Sequence, residues 1–325
     1  MEIKITREYN YSDVYLVPNE CIVNSRSECD TSITFGGRKF DIPIVPANMP
    51  SVIDEETCEY LCSKNIFYSM HRFGIDVCSF INRMHSQGYI ASISIGVNEE
   101  SYAQLKEIKE SKLTPEYILI DIAYGFAPKM ERMLKTAREM FPNSFIWAGN
   151  VTTAEGVDAL TRWGADAAKL FIGPGAACST KVFTGVSRPC ISTILECASM
   201  TKIPLVPDGG VREIGDFAKA ICASGCASMV MAGNILSGFD ENAGNVIEMS
   251  GKKVKEYYGN ASPFVVDKDN KNKHKHIEGK KIYIDYKGPM DPFLKHVKES
   301  LQSSISYAGG TTLDALAKCR IVAIN

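Results

Sequence analysis

The sequence predicts a closed (β/α)8 barrel. Three observations predict it: eight short apolar runs rich in β-forming residues, helix-period segments between them, and polar residues gathered at the C-terminal end of each run. The runs are 43–49, 67–73, 91–97, 117–123, 145–151, 167–175, 203–210 and 227–234. Strands that are apolar at almost every position belong to a parallel sheet buried on both faces. Eight strand–helix units favour closure, and an open doubly wound sheet is the competing arrangement.

The elements follow in order. Asp54 is placed to cap a helix through ETCEYLCSK, because its carboxylate can accept from the unpaired amides of the first turn. Thr152 and Glu155 have capping-box spacing directly after the fifth run, ahead of TAEGVDALTRWG. REIGDFAKAICASG carries the same helical period after the seventh. The polar strand ends are Asn48, His71 with Arg72, Asp121, Asn150, Gly173 to Gly175, Asp208 to Gly210, and Gly233 with Asn234. Such residues form the rim on which barrels build their active sites. Beyond the eighth run, VIEMSGKKVKEYYGNAS reads as a hairpin around Ser250–Gly251. PFVVDKDNKNKHKHIEGKK is charged and aperiodic, which predicts a mobile flap over about residues 263–281. DPFLKHVKESLQSSISYAG reads as a C-terminal amphipathic helix. With no linker and no longer repeat, residues 1–325 read as one barrel domain.

Composition narrows the function. Apolar residues make up 45% and charged residues 23% of the 325, which suits a globular chain. A net charge of −2 provides no basic field for nucleic acid. No apolar run reaches the roughly 18 residues of a membrane helix. The N-terminus has no secretory apolar core, and the 11 cysteines are odd in number and irregular in spacing. A reduced, cytoplasmic setting is the expectation. Cys58, Cys62, Cys222 and Cys226 read as small buried hydrophobes on helices rather than metal ligands.

The segment from Ile172 to Thr180, IGPGAACST, is the most informative. Gly173 and Gly175 let backbone approach a ligand, and Cys178 follows on the rim. A cysteine among oriented backbone amides can act as a nucleophile, with Thr180 placed to hydrogen-bond a leaving group. A tight turn carrying an inert cysteine is the competing reading. Asp208-Gly209-Gly210 and Gly233-Asn234 end the seventh and eighth runs, where barrels often bind phosphate. Asp208 can accept from two ribose hydroxyls. A phosphorylated nucleotide is therefore the expected ligand class, and ordinary turns are the bland alternative.

These motifs together resemble the IMP dehydrogenase/GMP reductase family over nearly the whole chain. GPGAACST, the DGG after strand seven, the glycine after strand eight, YYGNAS and SSISYAGG occur in family order. Two features point to the reductase branch. MHRFGIDVCSFINRMHSQGYIASISIGV runs on without the paired regulatory domains that the dehydrogenases usually insert, and the flap has Glu278-Gly279-Lys280 in place of their Arg–Tyr pair.

The resemblance implies reductive deamination of GMP to IMP and ammonia with NADPH. Cys178 would attack purine C2, and Thr180 and Glu278 would relay protons. Asp208, Gly209, Gly210, Gly233 and Asn234 would hold ribose and phosphate, and Gly259, Asn260, Ala261 and Ser262 would face the base. Asp121, Ile122, Ala123, Ile172 and Gly173 would line the nicotinamide side. Ser25, Arg26, Arg72, Ser303, Ser306 and Tyr307 match cofactor contacts, some supplied across subunits of a homotetramer. Gly173, Gly175, Cys178 and Lys181 match a monovalent-cation loop, with potassium the implied ion. The departures are Leu170-Phe171 for a smaller Val-Gly pair, Pro207 before the DGG, and Tyr124-Gly-Phe126 for His-Gly-His. An NAD-dependent IMP dehydrogenase and a catalytically silent nucleotide-binding regulator are the two alternatives.

Overall fold

The computed structural model describes residues 6–225, 228–260 and 279–324. Near the N-terminus β1 (Val14–Val17) pairs antiparallel with β14 (Arg320–Ala323), which ties the two ends of the chain together. A hairpin of β2 (Ile33–Phe35) and β3 (Arg38–Phe40) follows. The barrel begins with β4 (Ile44–Pro46), then α1 (Glu55–Ser63) and α2 (Val77–Ser86). It continues through β5 (Ser92–Ile95), α3 (Glu99–Glu110), β6 (Tyr117–Asp121), α4 (Pro128–Met140), β7 (Phe145–Val151) and α5 (Ala154–Arg162). β8 (Ala167–Leu170), α6 (Thr180–Thr184), α7 (Cys190–Met200), β9 (Leu205–Pro207), α8 (Gly215–Ser224) and β10 (Val230–Ala232) complete it.

Strands β5 to β9 form one parallel sheet in sequence order, and β10 returns to pair in parallel with β4. A parallel bridge between Asp208 and Met231 joins β9 to β10. Every residue of β5, β6 and β8 is buried, as the unbroken apolar runs require.

The expected second strand, 67–73, forms no ladder. Its Met70 amide donates to the Ser92 carbonyl at 3.0 Å. Otherwise the Tyr68 hydroxyl stands in for backbone: it donates to the Ile90 carbonyl at 2.6 Å and accepts from the Ser92 amide at 3.3 Å. A side chain that meets the neighbouring strand's polar groups removes the need for regular pairing there.

Helix starts follow local chemistry. Asp54 accepts from the Thr57 amide at 2.8 Å, as expected. The cap of α5 is Thr153, one residue later than the expected Thr152, and its hydroxyl accepts from the Gly156 amide at 3.2 Å.

One end of the barrel is plugged. Phe35, carried by the β2–β3 hairpin, packs against Phe67, Tyr117, Phe145 and Trp147 at ring separations from 4.7 to 6.2 Å. The Tyr117 hydroxyl donates to the Phe35 carbonyl at 2.7 Å. Tyr117 and Phe145 begin their strands, so the plug closes the N-terminal end and leaves the C-terminal rim for ligands.

The hairpin expected near Ser250–Gly251 is present as β11 (Val246–Met249) and β12 (Lys252–Tyr258). It gains a third strand, β13 (Lys281–Asp285), paired with β12. Residues 279–281, expected within the flap, are instead tied down by backbone pairing. The rest of the flap, with His274 and His276, lies outside the described residues. The C-terminal amphipathic helix is α9 (Asp291–Tyr307). Cys58 and Cys222 are buried core as expected, Cys62 is partly buried, and Cys226 lies outside the described residues.

Candidate active site

A cavity of about 290 Å³ opens at the C-terminal rim of the barrel. Its floor is a polar cluster built by four adjacent strands, β6 to β9. Lys169, in the middle of β8, is only 3% exposed. Its amine contacts Asp121 Oδ1 at 3.0 Å, Asp208 Oδ2 at 2.7 Å and Asn150 Oδ1 at 3.1 Å. Asn150 donates to Asp208 Oδ2 at 3.0 Å and to the Phe171 carbonyl at 2.8 Å. Asn48, at the end of β4, donates to Asp121 Oδ2 at 3.0 Å.

Local backbone makes this cluster possible. A Cβ on Gly149 would fall 2.5 Å from the Lys169 carbonyl, so only glycine lets β7 come this close to β8. The register of that pair then shifts between Gly149 and Val151, and such irregularities re-aim side chains. Asn150, at the shift, reaches the cluster.

The charges hold one another. Burial opposes ionisation of Asp121, but Lys169, Asn48 and Arg72 outweigh it and keep the carboxyl below its usual range. Burial likewise opposes the Lys169 charge, and the two carboxylates overcome it and raise its pKa.

The thiol loop forms the adjoining wall. The Cys178 amide donates to the Gly175 carbonyl at 3.0 Å, which closes a tight turn. The Cys178 thiol donates to the Thr180 hydroxyl at 3.2 Å. Cys178 also forms an antiparallel bridge with Gly279, and the Lys280 amide donates to the Ala177 carbonyl at 3.0 Å. Gly279 and Lys280 are thus fastened to the thiol loop. Opposite, Ser51 Oγ donates to the Tyr258 carbonyl at 2.8 Å and Asn260 donates to the Asn48 carbonyl at 3.2 Å. These bonds bring Gly259 and Asn260 to the cavity edge. Any Cβ on Gly233 would collide with the Tyr257 hydroxyl, so that loop closes on the sheet only with glycine.

The residues expected for the site divide into four groups. Cys178, Thr180, Asp208, Gly209, Gly233, Gly259 and Asn260 line the cavity, as do Arg72, Asp121, Ile122, Ala123, Ile172, Gly173 and Gly175. Gly210, Asn234 and Lys181 are not among its lining residues. Gly210 backs onto Cys190, whose sulfur a Cβ there would meet at 2.8 Å, and the Asn234 carbonyl accepts from Lys287 at 3.3 Å. Ser25, Arg26, Ser303, Ser306 and Tyr307 gather elsewhere. Arg26 donates to Ser303 at 3.0 Å, Ser306 donates to the Ser303 carbonyl at 2.8 Å, and Tyr307 is 62% exposed. Glu278, Ala261 and Ser262 lie outside the described residues.

Sequence reasoning noted Asn48 and Asn150 only as strand ends and passed over Lys169. The available signal was a lysine in an otherwise apolar buried strand, since a buried lysine requires partners.

Residues 80–325 match the sequence model of the IMP dehydrogenase / GMP reductase domain. The chain belongs to this family. It is 48% identical over 320 residues to the GMP reductase of Chromobacterium violaceum, covering 98% of this chain and 99% of the relative. It is 46% identical to the GMP reductase of Lysinibacillus sphaericus, covering 98% and 96%. The fold resembles that of GMP reductase from Trypanosoma brucei, solved in complex with guanosine 5'-monophosphate. The TM-score is 0.87 at 20% identity, with 99% of this chain and 96% of the other covered. That likeness establishes the (β/α)8 barrel. Among the described residues no helix is long and apolar enough to cross a membrane, and no cluster of three or more His, Cys, Asp or Glu could hold a metal ion.

Proposed function

We propose that this chain is an NADPH-dependent GMP reductase, converting GMP to IMP and ammonia. The observation that carries the reading is the Cys178 constellation. A rim thiol hydrogen-bonds Thr180, and its backbone bridges to Gly279, the residue directly after Glu278 in sequence.

The chemistry follows from what each group can do. The Cys178 thiolate adds to C2 of the guanine ring, forming a C–S bond. The C–N bond to the 2-amino group then breaks. Amide ion is a poor leaving group, so Thr180 and Glu278 deliver a proton and ammonia departs. NADPH, when bound, supplies the hydride that C2 gains. The C–S bond finally breaks and returns the thiolate, releasing IMP. In sum GMP, NADPH and two protons give IMP, ammonium and NADP+.

Binding uses the other rim loops. Asp208 faces the ribose hydroxyls, the 209–210 and 233–234 loops take the phosphate, and Gly259 to Ser262 face the base. The lining residues also fit a nicotinamide. The buried Arg72 Nε has no hydrogen-bond partner among the described residues, and Asp121 and the 172–173 backbone stand on the same cavity. A carboxamide offers the acceptor that Arg72 lacks. Ser25, Arg26, Ser303, Ser306 and Tyr307 then serve the cofactor of a neighbouring barrel in a homotetramer. Gly173, Gly175 and Cys178 offer backbone carbonyls of the kind a potassium ion accepts, beside Lys181, although the Gly175 carbonyl already takes the Cys178 amide. No step above depends on that ion. The setting proposed is cytoplasmic, with purine salvage as the role.

The test is an absorbance assay of NADPH with GMP against NAD with IMP, with ammonia measured in parallel. GMP-dependent NADPH oxidation with stoichiometric ammonia is expected, and guanosine should be a far poorer substrate than GMP. XMP formation from IMP and NAD as the main activity would overturn the reading.

A further inference from the structure

The rim loops account for substrate contacts, but they leave a buried cation beneath the cavity without a role. Lys169 is one of the few charged side chains of the barrel interior, and it touches both carboxylates at once. Asp208 stands at the end of β9 and Asp121 at the end of β6, with β7 and β8 between them. Asp208 is the residue placed on ribose and Asp121 the one placed on the nicotinamide side. The two halves of the cavity therefore meet at one amine.

We infer that Lys169 is a positioning residue whose amine locks Asp208 and Asp121 into a single unit, so that the nucleotide half and the nicotinamide half of the cavity are set together. Asp121 is buried and Asp208 partly buried; two carboxylates sharing one such region repel, and without a cation one of them takes a proton or turns away. Lys169 and Asn150 both hold Asp208 Oδ2, which defines that carboxylate's orientation. Lys169 holds Asp121 Oδ1 while Asn48 holds Oδ2, so Asp121 is clamped from both sides.

Other charged and titratable groups face the same cluster. Arg72 acts on Asp121 and helps keep it ionised. Tyr11, Cys190 and Tyr257 all lie within electrostatic reach of Asp208, and each has its pKa raised, chiefly by burial. These three are neutral near neutral pH, which leaves Lys169 and Arg72 as the cations that balance the two carboxylates. Among the described residues Arg72 makes no bond to Asp208, and Lys169 is the cation that spans both.

The assignment of the two halves rests on the GMP reductase reading, but the electrostatic core of the inference does not. It is tested with Lys169→Met and Lys169→Arg, each checked for folding by circular dichroism. The first readout needs no ligand: carbon-13 NMR of aspartate carboxyls, with Asp121 assigned by substitution. In Lys169→Met the Asp121 titration should move up by at least about one pH unit, and in Lys169→Arg it should stay near its wild-type position. The second readout is GMP affinity by calorimetry without cofactor, expected to fall at least tenfold in Lys169→Met. The third is the acid limb of kcat/KM, expected to shift upward in Lys169→Met and to be restored by Lys169→Arg. An unmoved Asp121 titration in folded Lys169→Met would overturn the inference. So would an affinity loss equal at every pH with an unshifted acid limb, which marks a packing defect alone. Should Lys169→Met fail to fold, Lys169→Arg decides: a displaced Asp121 titration in that folded, charge-retaining variant overturns it. Wild-type protein that binds no GMP, yet shows the Asp121 shift in Lys169→Met, would sink the functional reading and leave the buried unit standing.

Discussion

The Cys178 thiol donates to the Thr180 hydroxyl at 3.2 Å, which puts the proposed nucleophile in contact with the first member of the proposed proton relay. Replacing Cys178 with alanine should abolish turnover and any covalent intermediate while leaving GMP affinity within a few-fold. The loops proposed to hold phosphate and ribose do not depend on the sulfur. NADPH absorbance and calorimetry check the two halves, and residual turnover in Cys178→Ala would refute the covalent route.

Gly279 is bridged to Cys178, which anchors the end of the segment that carries Glu278. Glu278→Gln keeps shape and loses the ionisable proton carrier. Ammonia release should slow by roughly 10²–10⁴-fold, the usual worth of positioned acid–base catalysis. GMP binding should change little. Wild-type turnover in this variant would remove Glu278 from the relay and turn attention to His274 and His276.

His71 ties stability to pH. Burial pushes its pKa down to about 4, with Asp54 opposing weakly, and its Nδ1 accepts from the Phe73 amide at 3.2 Å. In the unfolded chain the same group titrates near 6.5. The folded state therefore keeps His71 neutral while the unfolded state takes up a proton as pH falls. Its contribution is complete above about pH 7 and is lost progressively down to about pH 4, reaching about 3 kcal/mol. His71→Gln should flatten the fall of Tm over that window. Identical pH dependence in the two proteins would show that His71 is not the titrating group.

Phe171 holds φ at +88° and is only 2% exposed, an unusual combination for a large side chain. Its amide donates to the Val151 carbonyl at 2.9 Å and its carbonyl accepts from Asn150, so the backbone is held in place. Truncation to alanine should cost about 3–5 kcal/mol through the lost burial and the cavity left behind. Glycine ordinarily costs about 0.5–1 kcal/mol more than alanine. Here the order should reverse, because glycine relieves the left-handed backbone and alanine does not. Urea midpoints for Phe171→Gly and Phe171→Ala decide this, and a less stable glycine variant would show that no strain is held at 171.

The sequence by itself determined the barrel's strand–helix rhythm, its buried strands and the spacing of the thiol loop. Those properties reside in local order: apolar runs such as YILID, caps such as Asp54, and the spacing of Cys178 and Thr180 on one loop. Family motifs in order then named the substrate class. Tertiary structure alone decided the rest. The Tyr68 hydroxyl replaces ladder bonds for the second strand because of where Ile90 and Ser92 pass, a contact across 22 and 24 positions. Lys169, Asp121, Asn150 and Asp208 come together only because β6, β7, β8 and β9 lie side by side and Gly149 allows the close approach. A lone lysine in a strand carries no local mark of its partners. Its role follows from the need of a buried charge for counter-charges, and only the closed sheet shows which residues meet that need.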